Sequence, residues 1–548
     1  MAPPTLGGVR VLIFHGYLLQ GTGSNVYNAN LADALVRLGH EVHLCCQDRE
    51  PQALPFVDAV GDWDDGALAV RTLREPVRCT VYRPALAGLL PVYVADRYAG
   101  IEARPFPDCS DAEIAAYVDA NVRAVREVAE GVHPDIALAN HLVMGPLILA
   151  RALGGEDRPG AVPYAVKVHG SAMEYVVAPH PERFLPAARE GLARARSVLV
   201  GSEHIADRLV ATLEDPALRA RIRLGPPGVD VERFAPRGAA DARAGLEALA
   251  ARLAQAAEAE ATAPADATSA FARRTGEAAT ALADVARGTD DRLVAFVGKL
   301  IVSKGIDLLL AAWPLVLARE PRARLVVVGF GAYRAACERL IAALADGDAT
   351  ALDALVAAGR AQEGGPAAPL RQLGAFLAAL DGDERAAWFA AAAGLRERVV
   401  LTGRLDHDEL ADLLPACEAL VVPSTFPEAF GMVAAEAAAC GALPICARHS
   451  GLAEVADALA AVAPEPARPL LSFPLGGEGE AGGDPVHAIA ERVVAWLGAP
   501  RELRDAAREA LVETVRERWS WKGVARGAIA AAQAPADAPR GGAQQGLA

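Results

Sequence analysis

One rhythm runs through this chain from residue 9 to about residue 450: short aliphatic and β-branched runs, most followed by a longer segment of helical spacing. The first runs are "VRVLIF" (9–14), "EVHLCC" (41–46), "RCTVYR" (78–83), "DIALAN" (135–140), "YAVKVH" (164–169) and "SVLVGS" (197–202). Runs this apolar suit strands covered on both faces, and segments such as "NANLADALVRLGH" (28–40) supply the covering helices. Strand, helix and parallel strand in series predict an open, doubly wound α/β sheet. A turn-rich stretch, "PPGVDVERFAP" (226–236), closes this half. The rhythm then resumes with "RLVAFVG" (292–298), "ARLVVVGFG" (323–331), "RVVLTG" (398–403), "ALVVPS" (419–424) and "ALPICA" (442–447). At 548 residues the chain exceeds a single core, so two similar βα domains are expected.

Two alanine-rich segments, residues 236–290 and 343–396, interrupt the pattern and read as helical insertions facing solvent. The last residues, 534–548, read as a disordered tail. A net charge of −15 argues against nucleic acid as a partner. No apolar run is long enough for a transmembrane segment, and the N-terminus lacks the basic start of a signal peptide. Eight cysteines show no zinc spacing, so buried thiols in a reduced, cytoplasmic chain are expected, with no metal site. Lysine is scarce: among 54 basic residues only Lys167, Lys299, Lys304 and Lys522 are lysines. Three of the four lie in stretches that carry chemistry.

The most informative stretch is "FPEAFGMVAAEAAACG" (426–441). Glu428 falls in the loop at the carboxyl end of a strand, where open α/β sheets bind ligands. The amides of Phe430, Gly431 and Met432 open a helix and form a cradle for an anion. Glu436 lies inside that helix, beyond capping range, and can accept two hydroxyl hydrogen bonds. Together they suit a ribose diphosphate carrying a further group that Glu428 reaches. Lys299 and Lys304 follow another strand and can neutralise a diphosphate without a metal. "GTGSN" (21–25) places Gly21 and Gly23 after the first strand, where backbone can approach a phosphate, Gly23 being the better candidate. His169 ends a strand just before Gly170. His15 and His141 hold similar places and are second-tier candidates for the acceptor side, whereas His133, His180, His407 and His487 read as surface residues.

"PEAFGMVAAEAAACG" resembles the E-x7-E signature of the retaining family-4 glycosyltransferases, which have the two-domain GT-B fold. Further stretches match in order: residues 21–44, "VKVHGS" around His169, "GVDVERFAP", "FVGKLIVSKGIDLLL" (296–310) and "ERWSWKGVARGAI" (517–529). The resemblance implies two Rossmann-like domains facing across a crevice, whose closure excludes water from the reaction. The N-terminal, acceptor-side domain takes residues 1–235 and is rejoined by a returning helix at about 518–533. The nucleotide-sugar-binding domain takes residues 291–517.

It further implies a metal-independent transfer of a sugar from a nucleotide diphosphate to an acceptor hydroxyl, with no cofactor. In it Glu436 holds the ribose, and Glu428 binds donor-sugar hydroxyls. The amides of Phe430 to Met432, with Lys299 and Lys304, stabilise the diphosphate, Gly23 approaches it, and His169 lines the reaction centre. The family usually has Arg where this chain has Lys299, so a point charge replaces a bidentate fork. "GSNVY" (23–27) is also similar to a segment of actinobacterial inositol-phosphate N-acetylglucosaminyltransferases. Lipid, glycan and small-metabolite acceptors stay open, the acidic chain favouring soluble ones; donor base and oligomeric state stay open too. The rival readings are another enzyme on the same fold, a nucleotide-sugar epimerase or a pyridoxal-type phosphorylase that needs a Schiff-base lysine for which Lys522 is badly placed, and a non-catalytic, partner-binding subunit. The epimerases lack the E-x7-E arrangement, and a non-catalytic subunit is expected to lose at least one of Glu428, Lys304 or His169.

Overall fold

The computed structural model describes residues 8–20, 23–86, 88–93, 102–154, 162–261, 274–476 and 484–535. It divides into two units, parted between Gly228 and Val229, with the segment from Trp519 onward belonging to the first. Gly21 and most of the C-terminal tail fall outside the described residues.

The first unit holds β1 (Arg10–Phe14), β2 (Glu41–Cys45), β3 (Ala59–Asp64), β4 (Ala67–Thr72), β5 (Cys79–Arg83), β6 (Leu89–Val92), β7 (Glu102–Pro105), β8 (Ile136–Asn140), β9 (Tyr164–Lys167), β10 (Ser197–Val200) and β11 (Ile222–Leu224). Nine of them form one sheet, in the order β11-β10-β9-β8-β1-β2-β5-β3-β4. All its pairs are parallel except β3 with β4. That exception turns on Asp65 (φ 47°) and Gly66 (φ 82°), the two left-handed residues a tight hairpin requires. From β1 the chain goes to β2 on one side and later to β8 on the other, so a topological switch point lies between β1 and β8.

The helix Gly23–Arg37 covers β1 and β2 with Tyr27, Leu31, Ala32 and Leu35, and ends at Gly39 in the left-handed region. Beside it packs the helix Trp521–Gln533, which places Trp521, Ala525, Ala528 and Ile529 in the same core as Leu31 and Leu35. Trp521 lies so close to Gly228 that a Cβ there would sit 2.5 Å from its ring.

The second unit holds β12 (Arg292–Val297), β13 (Ala323–Val328), β14 (Val399–Gly403), β15 (Ala419–Val422), β16 (Leu443–Ala447) and β17 (Ser472–Phe473), all parallel, in the order β14-β13-β12-β15-β16-β17. Its switch point lies between β12 and β15.

Solvent-facing insertions were the expectation, and the structure corrects it. In the first insertion the helices Ala239–Ala261 and Thr275–Arg287 pair with each other and bury Leu246, Leu249, Leu253 and Leu282. In the second, Trp388 is 2% exposed, lies against Phe376 at 5.4 Å between ring centroids, and donates its indole N–H to the Ala311 carbonyl at 2.9 Å. High alanine content conceals this because a few large side chains carry the contact. All eight cysteines are buried free thiols. No helix among the described residues is long and apolar enough to cross a membrane.

Candidate functional site

In the second unit the chain leaves β15 at Pro423 and runs through Ser424 to Glu428. The loop leaving β12, Gly298 to Gly305, lies against it. Gly305 sits at φ 65° with no room for a side chain beside the Pro423 carbonyl. Ser303 knits the two loops together: its carbonyl accepts the Thr425 amide at 2.9 Å and the Ser424 and Thr425 hydroxyls at 3.3 Å each. Lys304 is thereby brought to Glu428, and the two form an ion pair whose carboxylate also accepts the Ser424 hydroxyl at 2.7 Å. Lys299, just after β12, is exposed, and its ammonium has no hydrogen-bond or ion-pair partner among the described residues.

Beyond Glu428, Phe430 is buried and Gly431 takes φ 122°, with Leu452 2.7 Å from where a Cβ would be. The helix Met432–Ala439 starts there. Glu436 lies one turn in and is 2% exposed. Burial raises its pKa, and His407 works against that shift. His407, read from the sequence as a surface residue, is half-buried, with 32% of its side chain exposed: its Nε2 lies 3.7 Å from Glu436, and its ring packs on Phe234 at 4.8 Å between centroids. Nothing in the local sequence marks it, because its neighbours Phe234 and Glu436 are remote along the chain.

Two more residues that sequence reasoning missed brace Glu428. His449 donates from Nε2 to the Ser424 carbonyl at 2.6 Å, so its Nδ1 accepts the Ser450 hydroxyl at 3.0 Å. Ser450 Oγ in turn accepts the Glu428 amide at 2.9 Å, and the Gly451 amide bonds the Glu428 carbonyl at 3.0 Å. Ser450 pays for this place with a left-handed φ of 48°.

In the first unit the corresponding ground is the ends of β1, β8 and β9. A chain of hydrogen bonds there fixes the amide orientations of Asn140, Asn28 and Asn25 and the ring orientations of His169 and His15. His169 Nε2 donates to Asn140 Oδ1 at 2.9 Å. Asn140 donates to Asn28 Oδ1 at 2.7 Å, and Asn28 donates to His15 Nδ1 at 3.1 Å and to the Ser24 carbonyl at 2.8 Å. His15 Nε2 then donates to Asn25 Oδ1 and the Leu18 carbonyl, each at 3.0 Å. His169 therefore keeps Nδ1 as its lone-pair nitrogen.

Burial first, then His141 and Lys167, holds the pKa of His169 well below the ordinary range, so its ring is neutral. His15 is lowered to about 4, chiefly by burial. Tyr27 meets the His169 ring edge-on at 5.0 Å. His141 packs among His15, Tyr17, Tyr93 and His169, and neither ring nitrogen has a partner among the described residues. Lys167, which the sequence did not single out for this role, is buried, donates to the Gly225 carbonyl at 2.5 Å, and is pushed down to about 7 by burial. Gly23 opens the helix Gly23–Arg37, where a Cβ would meet nothing within 4 Å and φ is not positive. The fold itself does not demand glycine there. The neighbouring Ser24, Asn25, Tyr27 and Asn28 carry the contacts, roles that the reading of "GTGSN" as a glycine-rich phosphate approach did not assign to them.

Three family models match: Glycosyltransferase Family 4 over residues 21–233, and Glycosyl transferases group 1 over residues 291–357 and 375–465. The chain is 28% identical over 335 residues to a D-inositol 3-phosphate glycosyltransferase 2 of Catenulispora acidiphila, covering 59% of this chain and 56% of that one. It is 27% identical over 271 residues to a D-inositol 3-phosphate glycosyltransferase of Segniliparus rotundus, covering 49% and 45%. The chain thus spans about half the length of these curated relatives. Among solved structures, the catalytic domain of starch synthase IV from Arabidopsis thaliana, bound to ADP and acarbose, superposes with a TM-score of 0.53 at 14% identity, covering 96% of this chain and 99% of that one.

Proposed function

The chain belongs to the family 4 glycosyltransferases with the GT-B fold, and we propose that it transfers a sugar from a nucleotide-diphosphate donor to an acceptor hydroxyl, with retention and without a metal. The observation that carries this reading is the meeting of Lys304, Ser424 and Glu428 at the switch point of the second unit, next to the helix that buries Glu436.

In this reading the second unit holds the donor. Glu436 accepts the ribose hydroxyls. Lys299, Lys304 and the amides from Phe430 to Met432 take up charge on the departing diphosphate, the largest electrostatic demand of the step. Lys304 exchanges Glu428 for phosphate, and Glu428 becomes available to the hydroxyls of the donor sugar. The departing phosphate oxygen accepts the acceptor's proton on the face it leaves, which gives retention. The first unit contributes a neutral His169 as a hydrogen-bonding group for a sugar hydroxyl, and an open position at Gly23 for close approach of a phosphate. Lys299 and Lys304 supply positive charge that a metal supplies elsewhere.

The test is release of free nucleoside diphosphate from a panel of UDP-, GDP- and ADP-sugars, without acceptor, by the wild-type chain and Glu428→Ala. Slow hydrolysis of one donor, abolished by the substitution and indifferent to chelator, is the expected outcome. No release and no nucleotide binding with any donor would falsify the proposal.

A further inference from the structure

Residues 358–374 fall between the two group 1 matches, inside the second alanine-rich insertion. From this segment one carboxylate reaches into the donor side of the second unit. The Arg360–Glu363 turn sends Glu363 to the loop that follows β12, where Oε2 accepts the amide of Val302 at 2.7 Å. The other oxygen, Oε1, takes the Arg360 guanidinium at 3.0 Å, and the Glu363 side chain is only 9% exposed.

The turn that delivers it is tightly built. Gly359 has φ 45° and faces the Ala368 carbonyl with no space for a Cβ, while the Arg360 amide bonds that carbonyl at 2.9 Å. Val302 opens the three-residue turn Val302–Lys304, closed by the Gly305 amide on the Val302 carbonyl at 2.9 Å. This turn is thus held from two sides: Ser303 by the loop of Glu428, and Val302 by Glu363. A turn of three residues has no slack to absorb the loss of either hold. Lys304, two residues on, has a long flexible side chain, so where its ammonium rests depends on where this backbone is fixed.

We propose that Glu363 is a positioning residue for Lys304, and that the second insertion is a strut for the diphosphate-binding loop. The inference rests on the donor-binding reading given above. Glu363 touches no reacting atom. It acts by holding the Val302 amide, so its loss displaces Lys304 and weakens the hold on the diphosphate.

The experiment measures nucleoside diphosphate Kd by calorimetry, with donor KM and kcat, on the full chain carrying Glu363→Ala, Glu363→Gln, Arg360→Ala, Lys304→Ala and the Glu363→Ala/Lys304→Ala pair. Melting temperatures accompany each. The expected result is a roughly tenfold weaker Kd and higher KM for Glu363→Ala, about 1.4 kcal/mol, with most of the effect recovered in Glu363→Gln, whose amide oxygen still accepts the Val302 N–H. The double variant binds no worse than Lys304→Ala alone, because the two act in series. Wild-type Kd and KM in Glu363→Ala, or losses that simply add to those of Lys304→Ala, would overturn the proposal. If Glu363→Ala does not fold, Arg360→Ala decides: it leaves the carboxylate unanchored and must raise Kd, and unchanged binding counts against the strut. A wild-type chain that binds no nucleoside diphosphate defeats the donor-binding reading itself, a result distinct from equal binding by wild type and variant.

Discussion

Lys304 and Glu428, 124 residues apart in sequence, are each other's counter-ion at the strand ends of the second unit. Their side chains stay 31% and 24% exposed, so the pair contributes at most about 1 kcal/mol to stability. Lys304→Ala should therefore leave the denaturation midpoint nearly unchanged while lowering kcat/KM for the donor on the order of 100-fold. A large fall in stability with unchanged donor kinetics would make the pair a structural feature only.

Asn140 links His169 to Asn28 and also donates to the Phe14 carbonyl at 3.3 Å. Asn140→Ala strands buried groups on both sides and should cost about 2 kcal/mol in urea unfolding. It also releases the His169 ring from its single tautomer. Turnover is expected to drop more than donor KM rises, and equal changes in the two would argue that His169 is not held for the chemical step.

Lys167 gives the first unit a pH signature. Its ordinary pKa of 10.5 falls to about 7 on burial. Between those values the unfolded chain binds the proton and the folded chain does not, so stability rises with pH across the interval, and the cost is complete below 7. Lys167→Met should raise the melting temperature more at pH 6.5 than at pH 10.5. An unaltered slope in the variant would show that the ammonium is solvated in the folded chain.

Ser450 separates backbone strain from hydrogen bonding. Ser450→Gly relaxes the φ of 48° yet removes the hydroxyl that bridges His449 to the Glu428 amide. The glycine variant is expected to melt at or above the wild-type temperature with reduced kcat, while His449→Ala loses both stability and kcat. Full activity in Ser450→Gly would remove the brace from the account of Glu428.

Much of the architecture was legible because parallel strands buried on both faces advertise themselves. Every one of the eleven runs read from the sequence contains a strand of the structure. The β3–β4 hairpin escaped: its strands carry mixed polarity, and its Asp65–Gly66 turn signal was passed over. The position of Glu428 at the end of β15 could be read locally, since strand, loop and helix are contiguous there. His449, Ser450, His407 and Glu363 could not, because each acts on a residue brought near only by the fold. Alanine-rich composition hid Glu363 twice over, by suggesting that its whole segment faced water.

The helix Trp521–Gln533 completes the core of the first unit with Trp521, Ala525, Ala528 and Ile529, although the whole second unit is threaded between it and the strands it covers. During synthesis the earlier strands leave the ribosome with an apolar face uncovered, and they stay so while about 290 further residues are made. The second unit, continuous in sequence, can close on its own schedule. The first must wait for the returning helix, so a ribosome that stalls near Arg518 releases a chain with one finished unit and one open seam.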